Sequence, residues 1–409
     1  MLDGNHCPSY NPHSVVESSG RVSDLAETRR IRIAFDARLV YYQQAGIGQY
    51  ILHLAQGLAR LMSPGEMSLG RSPYELWVLR SRRASPMQLP GWVRQVKLRT
   101  PSHHRFESSA LSLELAGTRL ALLHSPDFIP PFGGRFRSVI TIHDLNFIHF
   151  PEFLTPESAR YYGQIHRAVA RADHIITDSN WTRQDVMERL EVPPEKVTTV
   201  YLAAAPVYRP ITDRQEIRQA AARYGLPSEF IIFVGTLEPR KNVPTLLKAF
   251  GDLRSRGYDI HLAIVGRKGW LYEDIFSTLA KLKLTDYVHF LDYVPDEDLA
   301  RLYNAARCLT LPSYYEGFGL PPLEAMACGT PVVVSNRSSL PEVVGEAGLL
   351  IDPDSPEDLS AALAGLLDDA ELSASLRQRG LAQSGEFSWA KAAHQTMAIY
   401  EQVLATASA

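Results

Sequence analysis

Short runs rich in β-branched and aromatic residues recur along the chain, separated by stretches in which apolar side chains return at helical spacing. IRIAFDAR (31–38), YELWVLR (74–80), ALLHSP (121–126), SVITIHD (138–144) and DHIITDS (173–179) predict strands. QYILHLAQGLARL (49–61) and SARYYGQIHRAVARA (158–172) predict helices between them. A proline-containing segment, YLAAAPVYRPITD (201–213), interrupts the pattern, which then restarts with FIIFVG (230–235), IHLAIVG (260–266), YVHFLDYV (287–294), CLTLPS (308–313), TPVVVS (330–335) and GLLIDP (348–353). FSWAKAAHQTMAIYEQVLATA (387–407) closes the chain as an amphipathic helix. Two strand–helix series joined by a linker predict an α/β protein of two Rossmann-like, doubly wound domains facing each other. The boundaries read as a disordered tail over 1–30, a first domain over 31–205, a second over 206–385 and a terminal helix within 386–409.

Composition narrows the function classes. A chain of 409 residues is too long for one ordinary core. Its 45% hydrophobic and 21% charged residues are those of a globular protein, and a net charge of −3 does not point to nucleic acid. Cys7, Cys308 and Cys328 are few and lack metal-ligand spacing, which fits a reducing, cytoplasmic setting. No run approaches the ~18 apolar residues of a membrane span, and residues 1–30 lack the apolar centre of a signal peptide. Asn180-Trp181-Thr182 matches a glycosylation acceptor pattern, but in this setting it reads as an unmodified helix start.

Ligands of open α/β sheets collect at the carboxyl ends of the strands, so residues just beyond each strand carry the chemistry. In FIIFVGTLEPRKNVPTLLKAF (230–250) a strand ends at Gly235 and Arg240 and Lys241 stand before a helix. A guanidinium and an ammonium beside a helix N-terminus can bind an anion; an exposed basic pair is the alternative. In PSYYEGFGLPPLEAMACGTPVVVS (312–335) Glu316 falls in a loop and Glu324 on a short helix begun by Pro321 and Pro322 and stopped by Gly329. Gly317 and Gly319 would let the backbone approach a ligand, and the carboxylates would accept hydrogen bonds from sugar or ribose hydroxyls. On spacing alone, two structural glutamates fit equally well.

The combination resembles glycosyltransferase family 4, retaining sugar-nucleotide transferases of GT-B fold. EGFGLPPLE is similar to that family's Glu-x7-Glu motif, GTLEPRKN to its diphosphate clamp, and GTPVVVSNRSSLPEVVGEAGLLIDP to the segment after the motif. The resemblance spans nearly everything from Ile31 onward and implies a terminal helix that crosses back onto the first domain. It implies that Arg240 and Lys241 neutralise the diphosphate of the donor, Glu316 binds hexose hydroxyls, and Glu324 binds the ribose. Amides of Gly317, Phe318, Gly319 and Leu320 would cap the phosphates, with Gly235, Thr236 and Val294 completing the donor site. Gly46 and Gly48, between a strand and a helix, are similar to the family's N-terminal glycine loop; a plain tight turn is the other reading. His143, directly after a strand, matches the family's histidine beside the primary hydroxyl of the hexose, with Asp144 fixing its tautomer or capping the turn.

Other signals point away from chemistry. Asp352-Pro353-Asp354 reads as a turn rather than a metal motif, Asp296 to Asp298 suit a helix N-terminus, and Cys328 reads as packing. No metal or cofactor is expected, since Arg240 and Lys241 can supply the charge on a leaving diphosphate. The expected activity is therefore retaining transfer of a hexose from a nucleotide diphosphate sugar to a hydroxyl of a glycan or lipid-linked glycan. The motifs look most like mannosyltransferases of bacterial polysaccharide assembly, which makes GDP-mannose the first choice of donor. A GT-B-like protein that binds or epimerises nucleotide sugars without transferring them is the alternative. Residues 80–105 carry seven Lys or Arg and no acid, interleaved with Met87, Leu89, Trp92, Val93 and Leu98. They could lie on the inner face of an anionic membrane, or form a basic loop and edge strand.

Overall fold

The computed structural model describes residues 30–41, 46–63, 72–104 and 106–406, the side chain of Glu157 excepted. The expected tail, save Arg30, lies outside the described residues. Strands β1 (Ile31–Asp36), β2 (Tyr74–Ser81), β3 (Arg94–Leu98), β4 (Leu122–Ser125), β5 (Arg137–Ile142), β6 (His174–Thr177) and β7 (Val197–Thr199) form a first sheet in the order β3-β2-β1-β4-β5-β6-β7. Strands β8 (Phe230–Val234), β9 (His261–Val265), β10 (Val288–Phe290), β11 (Cys308–Leu311), β12 (Val332–Ser335) and β13 (Gly348–Ile351) form a second in the order β10-β9-β8-β11-β12-β13. Every pairing is parallel. Helices cover both faces of such sheets, so the inner strands are apolar on both sides: Phe230 to Phe233 and Val332 to Val334 are fully buried. Strand order reverses between β1 and β4 and again between β8 and β11, and a crevice opens at the carboxyl end of each reversal.

The terminal helix Trp389–Ala405 belongs spatially to the first sheet. Buried Tyr400 places its hydroxyl 2.6 Å from His124 Nδ1, and the Tyr74 hydroxyl donates to Glu401 at 3.2 Å. Among the described residues no helix is long and apolar enough to cross a membrane.

Several elements depart from the periodicity reading. The stretch 158–172 is two helices, Pro156–Tyr162 and Ile165–Arg171, because Gly163 ends the first with its amide on Ala159 O. Strand β7 escapes the pattern, since VTT has only three residues, whereas β3, RQVKL, is the edge strand expected as one reading of residues 80–105, with Arg94 and Lys97 exposed. In the segment 80–105 Val93 and Leu98 are buried, and Met87, Leu89 and Trp92 are partly buried and pack against the core. Arg82, Arg83, Arg94, Lys97 and Arg99 remain exposed. Asp352 to Asp354 form a turn, with Asp352 Oδ1 accepting from the Asp354 amide, and Asp296 to Asp298 open the helix Asp296–Ala305. Cys308 and Cys328 are buried and unpaired. Asn180 begins the helix Asn180–Arg189, whose capping residue is Ser179.

Candidate active site

The loops after β8 and β11 are neighbours because those strands pair across the reversal, and backbone bonds lock the two loops together. The Tyr314 amide donates to Arg240 O, and Arg240 Nη1 donates to Tyr315 O at 2.9 Å. A turn of 3₁₀ helix, Pro239–Lys241, ends at Asn242 in the left-handed region (φ 54°) and turns Arg240 and Lys241 inward ahead of the helix Val243–Ser255. Lys241 Nζ then sits 2.6 Å from Glu316 Oε1, and Arg240 Nη1 sits 3.0 Å from Glu316 Oε2. Ser313 Oγ donates a further bond to Glu316 Oε1 at 2.7 Å. All three ionised groups are nearly buried. Burial alone would raise the Glu316 pKa, but Lys241 and Arg240 overcome it and hold the carboxyl at about 2. Lys241 is pushed below its ordinary value by burial and by the neighbouring Arg240.

A second carboxylate completes the cluster. Glu238 Oε1 lies 2.6 Å from Arg240 Nε, too poorly aligned for a hydrogen bond, so the contact is Coulombic. Two cations thus face two carboxylates. Glu238 was legible only as part of GTLEPRKN; nothing in its spacing marks it as the partner of Arg240.

The backbone from Gly317 to Leu320 is built for close approach. A Cβ on Gly317 would fall 2.0 Å from the carbonyl oxygen of His143, on the first domain. Gly319 adopts φ 109° as the cap of the helix Leu320–Ala327, a conformation only glycine takes without strain. Pro321 and Pro322 have no amide hydrogen, so amide donors at this helix end must come from residues 317–320 themselves. The loop is shaped by Ser338 and Ser339: Ser338 Oγ accepts from the Glu316 amide at 2.9 Å, and Ser339 Oγ reaches Glu316 O and Phe318 O.

Glu324 occupies different surroundings. It is buried, its Oε2 accepts from the Tyr303 hydroxyl at 3.1 Å, and no cation pairs with it among the described residues. Burial, with help from Asp296, pushes its pKa up to about 8, against the Tyr303 bond. The two glutamates of the motif therefore hold opposite charge states at pH 7: Glu316 is a carboxylate and Glu324 largely a carboxylic acid.

On the first domain, His143 follows β5 and is held by acceptors at both nitrogens. Nδ1 is 2.6 Å from Asp178 Oδ2, and Nε2 is 2.8 Å from the carbonyl oxygen of Pro126. Two acceptors require two donors, so the ring is an imidazolium. Burial opposes that charge, yet Asp178 and the Pro126 carbonyl raise the pKa to about 9. The partner is Asp178, beyond β6, and not Asp144, whose Oδ1 caps the Asn146 amide. The carboxyl-end address of Asp178 in DHIITDS was the available signal. Gly46 and Gly48 open the helix Gly46–Leu61 itself, and residues 42–45 before them lie outside the described residues. A Cβ on Gly46 would touch Leu320 Cδ1 at 3.7 Å, which sets this helix start opposite the loop of residues 317–320.

The two domains meet along a hydrogen-bonded seam. Ser179 Oγ and Thr182 Oγ1 donate to Gly317 O at 2.6 and 3.1 Å. Glu342, beyond β12, accepts from the amides of Asn180 and Trp181 and from the Tyr201 hydroxyl. Gln49 Nε2 donates to Asp296 Oδ2 at 2.8 Å. Arg240, Lys241, Glu316, Gly317 and His143 are thus drawn together. A Cβ on Gly235 would fall 3.4 Å from the Lys241 side chain, Thr236 follows it in the loop, and Val294 is buried beyond β10 beside the exposed Tyr293. Among the described residues no group of three or more His, Cys, Asp or Glu could hold a metal ion.

Comparison with known proteins places this geometry. Residues 45–204 match the profile of Glycosyltransferase Family 4, and residues 213–383 that of Glycosyl transferases group 1. The O-antigen chain mannosyltransferase B of Escherichia coli is 33% identical over 384 residues, covering 91% of this chain and 100% of that protein. Among solved structures, the sucrose-phosphate synthase of Thermosynechococcus elongatus superposes with a TM-score of 0.73 at 22% identity, over 92% of this chain and 100% of that one. HepE of Anabaena, solved with UDP and glucose, gives 0.72 at 18% identity, over 91% and 100%. These two likenesses bear on the fold, which is GT-B. Family matches along both halves of the chain, with 33% identity to a relative over that relative's full length, show that the chain belongs to the family 4 glycosyltransferases.

Proposed function

We propose that this protein transfers mannose from GDP-mannose to a hydroxyl of a growing, lipid-linked glycan, with retention at the anomeric carbon and with Arg240 and Lys241 in the place a metal takes elsewhere. The observation that carries the reading is the buried Arg240–Lys241–Glu316 cluster set against His143 across the seam. Mannose is favoured by the full-length likeness to an O-antigen chain mannosyltransferase.

In the reaction the donor diphosphate replaces Glu316 as the anion on Arg240 and Lys241. The released carboxylate then accepts hydrogen bonds from hexose hydroxyls. As the C1–O bond breaks, negative charge grows on the leaving diphosphate and positive charge on the sugar ring. Fixed cations therefore stabilise the transition state more than the ground state. His143, an imidazolium pinned by Asp178, borders the hexose, and Glu324 lies within reach of the ribose. The acceptor hydroxyl attacks from the face the diphosphate leaves, and a phosphate oxygen takes its proton, so no protein base is required.

The test is transfer itself. Purified protein is incubated with GDP-mannose, UDP-glucose or UDP-N-acetylglucosamine and a mannosylated lipid acceptor, and the anomeric configuration of the product is read by NMR. Formation of an α-linked mannoside from GDP-mannose alone is expected. A β-linked product, or transfer only from a uridine donor, would overturn the corresponding part of the reading.

A further inference from the structure

The residue before Glu316 reaches into the other domain. Tyr315 leaves the loop after β11 as a buried side chain, and its hydroxyl lies between two groups of the first domain. It accepts from the Leu145 amide at 3.2 Å and donates to Asp185 Oδ2 at 2.7 Å. His149 Nε2 lies 2.6 Å from the same carboxylate oxygen, and the rings of His149 and Phe150 stand 4.9 and 6.4 Å from the tyrosine ring. Leu145, His149 and Phe150 follow β5, and Asp185 sits on the helix Asn180–Arg189. The socket is therefore built by the first domain and its occupant by the second. A phenol that commits both its proton and a lone pair to buried partners has a fixed position.

One face of that helix follows the loop. Ser179 and Thr182 donate to Gly317 O, and Asp185, at the same spacing again, takes the Tyr315 hydroxyl. The main chain of Tyr315 meanwhile serves the anion site: its carbonyl oxygen accepts from Arg240 Nη1 at 2.9 Å. The other groups close to the Arg240 guanidinium are carboxylates, Glu316 at 3.0 Å and Glu238 at 2.6 Å. Glu316 is the one that the donor diphosphate displaces in the reaction proposed above. The Tyr315 carbonyl is neutral and does not compete with phosphate, so it keeps its bond to Arg240 while the anions exchange.

We infer that Tyr315 is a positioning residue for transfer: seated in the socket of Leu145, His149 and Asp185, it holds the Arg240 guanidinium in the orientation from which that group meets the diphosphate. The linkage is short. Ring and carbonyl belong to one residue, so anchoring the hydroxyl on the first domain fixes the backbone oxygen that Arg240 leans on. The charge of Arg240 does not depend on the socket, but its direction does. A guanidinium freed from this hold would still attract GDP, yet a cation that is not preorganised stabilises the departing diphosphate less. The socket thus acts on kcat from the opposite domain and leaves nucleotide affinity nearly unchanged. The inference rests on Arg240 as a ligand of the diphosphate, and its test separates failure of that reading from failure of the socket.

The experiment compares Tyr315→Phe, Asp185→Ala and the double variant with the parent, below the thermal midpoint of each. Tyr315→Phe keeps the ring against His149 and loses only the hydroxyl. In each single variant kcat is expected to fall about tenfold or more, with the Kd for GDP within about threefold of the parent. The double variant should be no slower than the slower single, because both changes break one contact. In the nucleotide-free protein, hydrogen exchange at the Arg240 guanidinium, its NMR signal identified by loss in Arg240→Lys, should quicken about tenfold in the same variants. Parent-like exchange and kcat in the variants of a protein whose Arg240 signal responds to GDP would overturn the inference alone. So would faster exchange with kcat unchanged, or a lower thermal midpoint with neither moved, since Tyr315 would then only join the domains. A parent that transfers no sugar and whose Arg240 signal ignores both GDP and pyrophosphate would overturn the diphosphate reading, and this inference with it.

Discussion

Glu316→Gln removes the one carboxylate that two buried cations share, and its effects on nucleotide binding and on transfer should run in opposite directions. In the unliganded protein Lys241 and Arg240 lie 2.6 and 3.0 Å from that carboxylate. Leaving a buried ion without its partner costs about 3–5 kcal/mol. Arg240 keeps Glu238 at 2.6 Å, so the lower end of that range applies. GDP would return an anion to the two cations without first displacing Glu316. A tenfold gain in GDP affinity, about 1.4 kcal/mol, is therefore expected, and a larger thermal stabilisation by GDP than in the parent. Transfer should nevertheless fall, because the amide accepts hexose hydroxyls less strongly than a carboxylate; one charge-assisted bond of about 1.5–3 kcal/mol is worth tens to over a hundredfold in rate. Calorimetry with GDP and turnover with GDP-mannose measure the two sides. The sign in pH follows from the same pair: the folded carboxyl titrates at about 2, below the ordinary 4.5, so its stabilisation is present above pH 4.5 and is lost as pH falls towards 2. Glu316→Gln should lack that acid-side loss. If GDP affinity drops in parallel with turnover, the partner exchange is wrong and Glu316 acts on the nucleotide itself.

Arg240→Ala or Lys241→Ala should each lower kcat/KM by tens to over a hundredfold and weaken GDP binding; unchanged kinetics in both would remove the diphosphate from this site. Glu324 titrates at about 8 when folded, above its ordinary 4.5, so its contribution is full below pH 4.5 and declines as pH rises through 8. Glu324→Gln should flatten the urea midpoint over that window, and GDP binding by the parent at pH 7 should release protons, detected as a dependence of calorimetric heat on buffer ionisation enthalpy. His143 titrates at about 9, above 6.5, so the stability it gains from Asp178 is present below 6.5 and lost through 9; Asp178→Asn should move that loss to lower pH, followed by NMR of the imidazole. Gly317→Ala places a methyl 2.0 Å from His143 O, which the backbone must relieve by moving. A cost of about 1–3 kcal/mol in stability and a fall in turnover are expected, and wild-type values in both would show that the seam yields freely.

How far the sequence spoke depended on whether a property was local. Apolar runs such as FIIFVG and TPVVVS announced buried parallel strands, and turn residues at their ends located the loops where Arg240, Glu316 and His143 lie. The strand Arg94–Leu98 gave no apolar run because it is at an edge with exposed cations, and it was legible only as the edge-strand reading of a basic stretch. Partnerships across the fold were silent. Nothing in RKN or YYEG says that Lys241 will close on Glu316 and not on solvent, because that contact exists only once β8 and β11 pair. Asp144, adjacent in sequence to His143, was the obvious companion; the sheet instead brings Asp178 alongside from β6, and Asp144 turns back to cap its own loop. The difference between the charge states of Glu316 and Glu324 was likewise invisible, since burial and cation proximity set it and spacing does not.

The helix Asn180–Arg189 receives its first amides' acceptor from Glu342 of the opposite domain, and its capping serine gives its own proton to Gly317. That arrangement makes the end of one domain's helix the handle of the other domain's donor loop. Swinging the cleft open would strip Asn180 and Trp181 of their acceptor and hand those amides to water at the same moment that Gly317 lets go. Opening would therefore carry a cost that is independent of which sugar is bound, because the bonds it breaks lie within the protein. Substitutions at Glu342 would then alter how long product lingers without touching the chemistry of transfer.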